Sequence, residues 1–134
     1  MSALLALVLA AAPGNACAGP RPGWLAPGLQ HAEAIFNRVT LLGRDEIRWN
    51  GVPITRRTLR RYLGLLTTMI PPPLTILEPA DSVDCALLEA VRDDIEAALP
   101  CADGICGEGV GDWTGREGEP PPPPLVRPIV PRGR

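Results

Sequence analysis

Lysine is absent from this 134-residue chain, and all 13 of its basic residues are arginine. Fifteen acidic residues bring the formal net charge to −2, which is too small to indicate a strongly charged partner. Aromatic side chains make up only 4% of the residues, so a stacking surface for single-stranded nucleic acid is disfavoured. The composition therefore predicts no nucleic-acid partner.

Long apolar runs and clusters of metal ligands are also absent. The N-terminal apolar run, residues 3–12, is ten residues long, whereas a transmembrane helix needs about 20 apolar residues. The single histidine, His31, has no Cys, His or Asp near it at ligand spacing. We therefore expect no transmembrane helix, no metal site and no cofactor.

Residues 1–18 resemble an export signal. The apolar run ends at Pro13, and small residues precede a cleavage site before Gly19. Acylation of Cys17 is an alternative, although Gly14 stands where a lipoprotein signal has an aliphatic residue. A buried N-terminal helix is a further alternative. Export predicts a periplasmic or secreted location.

Changes in composition divide the rest of the chain. Residues 19–34 begin with a Pro- and Gly-rich stretch and are expected to form a linker. Residues 35–113 carry the periodic patterns of one folded domain, and residues 114–134 form a Pro- and Gly-rich tail that is expected to be disordered. A domain of this size buries little apolar surface, so a disulfide or oligomerisation would contribute to its stability.

The domain begins with a predicted strand pair at residues 39–42 and 46–49, followed by a short strand at 52–54. Asn50 and Gly51 form the strongest two-residue hairpin signal. Thr55 is the expected N-cap of the helix that follows.

Two amphipathic helices and one more strand complete the predicted domain. The apolar residues of the first helix recur with helical spacing at Leu59, Tyr62, Leu63, Leu66 and Ile70. A strand is predicted at residues 74–77. The second helix carries Leu87, Val91, Ile95 and Ala98 on one face and starts near Asp81 or Ser82. The sequence therefore predicts an α+β two-layer sandwich, with a small mixed sheet of three to four strands and two helices on one face.

Four arginines of the first helix form the strongest candidate binding site: Arg56, Arg57, Arg60 and Arg61. At 100° per residue they span about 140° of the helix surface. Like charges at i and i+4 cost a few tenths of a kcal/mol each, and the sequence shows nothing that compensates them. A binding site for an anion or an acidic partner and an ordinary solvated surface are both consistent with this pattern.

The second helix has an acidic outer side formed by Glu89, Asp93 and Glu96. No His, Ser or Cys is spaced to work with these carboxylates, so we expect them to be solvated and expect no catalytic site. Asp94 lies at the edge of the apolar stripe and has no obvious role.

The cysteines predict one short disulfide. If Cys17 is removed with the export signal, Cys85, Cys101 and Cys106 remain. A continuous helix would separate Cys85 from Cys101 by about 24 Å, beyond the range of a disulfide. We therefore expect a Cys101–Cys106 bond in an oxidising compartment and a free or intermolecularly bridged thiol at Cys85.

The order of elements resembles the periplasmic domain of the ExbD/TolR family of biopolymer-transport proteins. The matching features are the segment Trp49-Asn50-Gly51-Val52-Pro53-Ile54-Thr55, the helix to Thr68, the segment Leu74-Thr75-Ile76-Leu77-Glu78-Pro79-Ala80-Asp81 and the helix after Val83. They cover about 50 residues. The family's transmembrane helix with its proton-carrying aspartate has no counterpart here, so proton coupling is not carried over. A clear final strand is also missing, because two glycines interrupt residues 105–110.

The resemblance implies a non-enzymatic module of the cell envelope. Expected partners are a second copy paired through a strand edge, an envelope protein or peptidoglycan, with the four helix arginines as contacts. The alternative is a small secreted protein with inhibitor or thiol activity, using Cys85 or the Cys101–Cys106 pair.

Overall fold

The computed structural model describes residues 17–28, 35–113 and 115–119. The predicted export signal up to residue 16, the end of the predicted linker with His31, and the tail from residue 120 lie outside the described residues. No helix in the described ranges is long and apolar enough to span a bilayer.

Six strands and two α-helices form the described fold. They are β1 (Ile35–Leu42), β2 (Glu46–Trp49), β3 (Val52–Ile54), α1 (Arg56–Leu66), β4 (Leu74–Pro79), α2 (Cys85–Ala98), β5 (Cys106–Glu108) and β6 (Arg116–Glu117). A 3₁₀ turn, Cys101–Asp103, links α2 to β5.

The strands form one mixed sheet in the order β3-β2-β1-β4-β5, and β6 pairs with the start of β1. The hairpin strands are antiparallel, whereas β4 is parallel to both β1 and β5. The α+β class is confirmed, but the sheet has more strands than the three to four predicted. The additional strands are β5, which contains Gly107, and β6, which lies in the predicted tail. Neither has an alternating apolar pattern that would identify it as a strand.

The turn at Asn50 and Gly51 fixes the register of the hairpin. Both residues have positive φ, 47° and 86°, as a type I′ turn requires. The Asn50 side chain is buried and accepts a hydrogen bond from the Arg38 backbone N–H at 2.8 Å, while its amide donates to Asn37 Oδ1 at 2.9 Å. The turn residue therefore also joins the hairpin to the first half of β1.

Both helices pack against one face of the sheet, as predicted. Val39 and Leu41 of β1 point to this face because side chains alternate along a strand. The core contains apolar residues from both helices and from the sheet: Leu59, Leu63, Leu66, Leu88, Val91, Ile95, Ile47, Trp49 and Leu77.

A second, smaller apolar cluster covers part of the opposite face. Phe36, Leu74 and Ile76 point to this side and pack with Trp113. A Cβ at Gly107 would lie 2.7 Å from the Trp113 ring. Glycine therefore allows the indole to lie directly on β5, and it explains why a strand that looks interrupted in sequence still forms.

The first part of the predicted linker is instead packed against the domain. Trp24 is buried in the main core. Leu25 bonds to the outer edge of β5: its N–H donates to Cys106 O at 2.8 Å, and its carbonyl accepts from Glu108 N–H at 3.0 Å. Pro and Gly prevent a regular element here, but they do not prevent packing.

The two outer edges of the sheet offer little for strand pairing. Leu25 covers the edge at β5. At the other edge, β3 has only three residues. Its central residue, Pro53, lies opposite Arg48. In a two-residue hairpin the backbone of this residue points away from β2, towards the open edge. Because Pro has no N–H, this edge lacks a central donor. Self-association through a strand edge, expected from sequence, is thus disfavoured by the described edges.

Helix α2 starts later than predicted. Its N-cap is Asp84, whose side chain makes no capping bond. Ser82 does not cap the helix, because its Oγ accepts from the Gly43 backbone N–H at 3.3 Å. The Asp84 N–H in turn donates to Gly43 O at 2.7 Å. The capping pattern in the sequence therefore serves a tertiary contact with the β1–β2 turn.

Candidate functional site

Helix α1 presents the predicted arginines away from the core. Its N-cap is confirmed, because Thr55 Oγ1 accepts from the Thr58 backbone N–H at 3.1 Å. Leu59, Leu63 and Leu66 are buried. The helix has no acidic residue in its first turn, so the positive end of its dipole coincides with positively charged side chains.

Two of the four arginines are used in an inter-helix ion pair. Arg56 forms a bidentate contact with Asp94 of α2, at 2.8 Å and 3.2 Å, and Arg60 lies 3.4 Å from the same carboxylate. The hydrogen bond to Asp94 is the main cause of the raised pKa of Arg56. Asp94, which has no obvious role in the sequence, therefore fixes α1 against α2.

The other two arginines, Arg57 and Arg61, are exposed. Their guanidinium groups make no ion pair or hydrogen bond within the described part of the chain, in contrast to Arg56 and Arg60. The predicted site is thus divided. One pair of arginines holds the helices together, and the other pair is available to a partner.

Apolar side chains continue the exposed side of α1. The helix ends at Leu66, earlier than predicted, so Ile70 does not join the buried stripe and is instead 97% exposed. Leu65 and Met69 are 55% and 50% exposed. Arg57, Arg61, Leu65, Met69 and Ile70 are together called the α1 surface below.

The predicted Cys101–Cys106 disulfide is confirmed. It closes the 3₁₀ turn between α2 and β5 and holds the start of β5 beside β4. Both cysteines are buried.

The prediction of a free or intermolecular thiol at Cys85 is wrong. Cys85 is bonded to Cys17, 68 residues earlier in the chain, and the chain has no free cysteine. The error came from assigning Cys17 to a cleaved signal, which left Cys85 without a partner. Residues 17 and 18 belong to the fold, because Arg92 Nη2 also donates to Ala18 O at 2.8 Å.

The acidic side of α2 is not simply solvated. Arg21 lies 3.0 Å from Glu89, 2.6 Å from Asp93 and 3.0 Å from Glu96. Trp24 Nε1 also donates to Glu96 at 3.1 Å. Hydrogen bonds from Arg21 and then Arg92 lower the pKa of Glu89. These carboxylates hold the N-terminal segment in place.

Arg92 is the most important side chain that sequence analysis missed. It is 1% exposed and makes a bidentate contact with buried Glu108, at 2.7 Å and 2.6 Å. It also donates to Glu89. The one sequence signal was an arginine directly after Val91 on an apolar face, but nothing local identified its partner in β5.

Another charged group lies on the sheet face opposite the helices. Arg38 is 3.2 Å from Glu78 and 3.9 Å from Glu117. Burial raises the pKa of Glu78, and the nearby Glu117 adds to this, although Arg38 acts in the opposite direction. These contacts pair two carboxylates with one guanidinium and include no His, Ser or Cys side chain, so we assign the group a structural role.

A shallow cleft of about 300 Å³ opens between the N-terminal segment and the end of α2. It is lined by Pro22, Glu96, Leu99, Pro100, Cys101 and Ala102. Its one ionisable side chain, Glu96, is already bonded to Arg21 and Trp24. In the described ranges, no three His, Cys, Asp or Glu side chains are grouped to hold a metal ion.

Comparison of the chain with protein-family models, curated proteins and solved structures gives no match. The ExbD/TolR resemblance therefore remains a hypothesis based on the order and spacing of the elements. The α1 surface is the candidate functional site that the geometry favours.

Proposed function

We propose that this chain is an exported, non-enzymatic interaction module of the cell envelope, similar in role to the periplasmic domain of ExbD/TolR proteins. The observation that carries the proposal is the α1 surface. It combines two arginines without a partner in the described chain with three exposed apolar residues. Such a combination is found at protein contact surfaces, in which Arg and Met are enriched relative to the rest of the surface.

Export is supported by the two disulfides, because such bonds persist mainly outside the reducing cytoplasm. A cleavage before Gly19 would remove Cys17 and its bond to Cys85. Cleavage after Ala16 retains the bond and still places small residues, Gly14 and Ala16, at the positions that signal peptidase recognises. We therefore move the proposed cleavage site to the bond between Ala16 and Cys17.

The intact mass of the protein from its native host tests export directly. A chain that begins at Cys17 and carries no alkylatable thiol before reduction is the expected result. A chain that begins at Met1 with four alkylatable thiols would overturn export. An acylated Cys17 would contradict the Cys17–Cys85 bond, because one sulfur cannot be in both a thioether and a disulfide.

Cell fractionation tests the interaction function. The wild-type chain is expected to remain with the envelope after osmotic shock, whereas the variant Arg57→Ala/Arg61→Ala is expected to be released. Arg44→Ala is the matched control, because Arg44 is an exposed arginine in the β1–β2 turn and is not part of the α1 surface. Release of the wild-type chain, or equal retention of all three proteins, would exclude the α1 surface as an envelope contact.

A free-thiol function at Cys85 loses its support, because Cys85 is bonded to Cys17. An envelope protein or peptidoglycan remains a candidate partner of the α1 surface.

A further inference from the structure

We propose that the α1 surface docks on anionic phospholipid headgroups at the face of a bilayer. This inference rests on the envelope function proposed above and names its partner.

The charge of the surface is positive and is not neutralised internally. Arg56 and Arg60 share the single carboxylate of Asp94, which leaves Arg57 and Arg61 with exposed guanidinium groups. The chain as a whole has a net charge of −2. An anionic bilayer therefore repels most of the molecule and attracts this side, which orients the approach.

The apolar residues are placed where a bilayer can take them up. Arg57, Arg61 and Leu65 follow each other at intervals of four residues, so they lie within about 80° of the helix circumference and extend about 12 Å along it. Met69 and Ile70 follow three and four residues after the last residue of the helix, Leu66. Binding to a bilayer surface grows with both the buried apolar area and the attraction of cations to anionic lipids, and the α1 surface offers both.

The shape of the surface favours a bilayer over a peptide. A peptide that docks on a helix or a sheet needs a groove or a free strand edge. The outer side of a single helix is convex, and an isoleucine that is 97% exposed has almost no neighbouring side chains around it. A lipid interface deforms around such a protrusion, and its headgroups supply many phosphates to two separate arginines.

The test measures co-sedimentation of the full disulfide-bonded chain with vesicles. One set contains equal parts of phosphatidylglycerol and phosphatidylcholine, and the other contains phosphatidylcholine alone. We expect binding to the anionic vesicles that weakens as salt is raised, and little binding to the neutral ones. Each arginine near an anionic surface contributes roughly a fivefold increase in partitioning, so Arg57→Ala/Arg61→Ala should weaken binding more than tenfold.

Matched variants distinguish binding through the α1 surface from binding caused by any exposed arginine or apolar side chain. Ile70→Ser is expected to weaken binding about tenfold or more, because the side chain loses its apolar burial. Arg44→Ala and Val110→Ser remove an exposed arginine and an exposed apolar residue elsewhere, and should bind like the wild type. Circular dichroism and the intact disulfides confirm that each variant is folded.

Three outcomes would overturn the proposal. Equal binding of all variants would show that another surface meets the lipid. No vesicle binding, together with envelope retention that still depends on Arg57 and Arg61, would exclude lipid and leave the envelope function with a protein or peptidoglycan partner. If both vesicle binding and envelope retention are absent, the proposed function fails as well.

Discussion

The two helices use arginine in opposite ways, although they lie side by side in one layer. In α2, Arg92 is buried and its charge is matched by Glu108 and Glu89. In α1, Arg57 and Arg61 are exposed, and their charges are not matched in the described chain. The first arrangement stabilises the fold and the second leaves a surface for binding. The difference shows that the role of an arginine here depends on its burial and on whether a carboxylate matches its charge.

The strongest way to test this contrast is Arg92→Met. The substitution leaves the Glu108 carboxylate buried without its guanidinium, so we expect the free energy of unfolding to fall by about 3–5 kcal/mol. Urea unfolding followed by tryptophan fluorescence measures the loss. The double variant Arg92→Met/Glu108→Leu should recover much of it, because no charge is then left buried alone. If single and double variants are equally unstable, the charge pair is not the cause.

The disulfides provide a second test of what holds the α2 side together. In the chain-entropy description, a disulfide stabilises more when it closes a longer loop. The sequence separations are 68 residues for Cys17–Cys85 and 5 for Cys101–Cys106. Replacing both cysteines of a pair by alanine should therefore cost about 4 kcal/mol for the long bond and about 2 kcal/mol for the short one. Urea unfolding of the two paired variants gives the order, and the reverse order would mean that the N-terminal segment stays in place without its bond.

The pH dependence of stability should differ in sign between two carboxylates. Burial raises the pKa of Glu78 in the folded state, so the folded chain binds that proton more tightly, and this contribution to stability is lost as pH rises above the usual glutamate range. The pKa of Glu89 is lowered by Arg21 and Arg92, so its contribution is present at neutral pH and is lost as pH falls.

The variants Glu78→Gln and Glu89→Gln test this difference. The free energy of unfolding of Glu78→Gln, relative to that of the wild type, should be higher at pH 7 than at pH 4. The free energy of unfolding of Glu89→Gln, relative to that of the wild type, should be lower at pH 7 than at pH 4. Urea unfolding at both pH values gives the two comparisons. If the free energy of unfolding of both variants changed in the same direction between pH 4 and pH 7, net charge and not the local environment would determine the pH dependence of stability.

The smallest effect on stability is expected for the α1 surface. Arg57→Ala/Arg61→Ala removes exposed side chains with no described ion pair, so the free energy of unfolding should change by less than about 0.5 kcal/mol. Because Arg57 and Arg61 are like charges four residues apart on one helix, their removal should raise the free energy of unfolding slightly. Thermal unfolding measures the change. A loss of several kcal/mol would mean that these arginines are structural, like Arg92, and the contrast between the helices would disappear.

Local patterns were sufficient for much of the fold. The Asn50-Gly51 turn, the Thr55 cap and the leucine stripe of α1 each depend on neighbours within a few residues, and all three are present as predicted. The same is true of the Cys101–Cys106 bond, because a loop of five residues keeps the two sulfurs close whatever the rest of the chain does.

Most of the errors concern contacts between distant residues, and the end of α1 is a local exception. Ile70 fits a helical stripe, but α1 ends at Leu66 and the residue is exposed. Glu89, Asp93 and Glu96 form an outward-facing acidic row, but Arg21 returns to it from about 70 positions away. Strands β5 and β6 have no pattern of their own and form because β4 and β1 offer them partners.

The sequence by itself determined the α+β class, the two helices on one face of the sheet, the hairpin and the four arginines as a basic group. Only the tertiary structure decided which arginines pair with Asp94, which remain exposed, that Arg92 is buried against Glu108, and that Cys17 bonds to Cys85. The physical reason is range. Turns, caps and periodic stripes are set by local backbone geometry, whereas ion pairs and long disulfides depend on which distant segments the folded chain brings together.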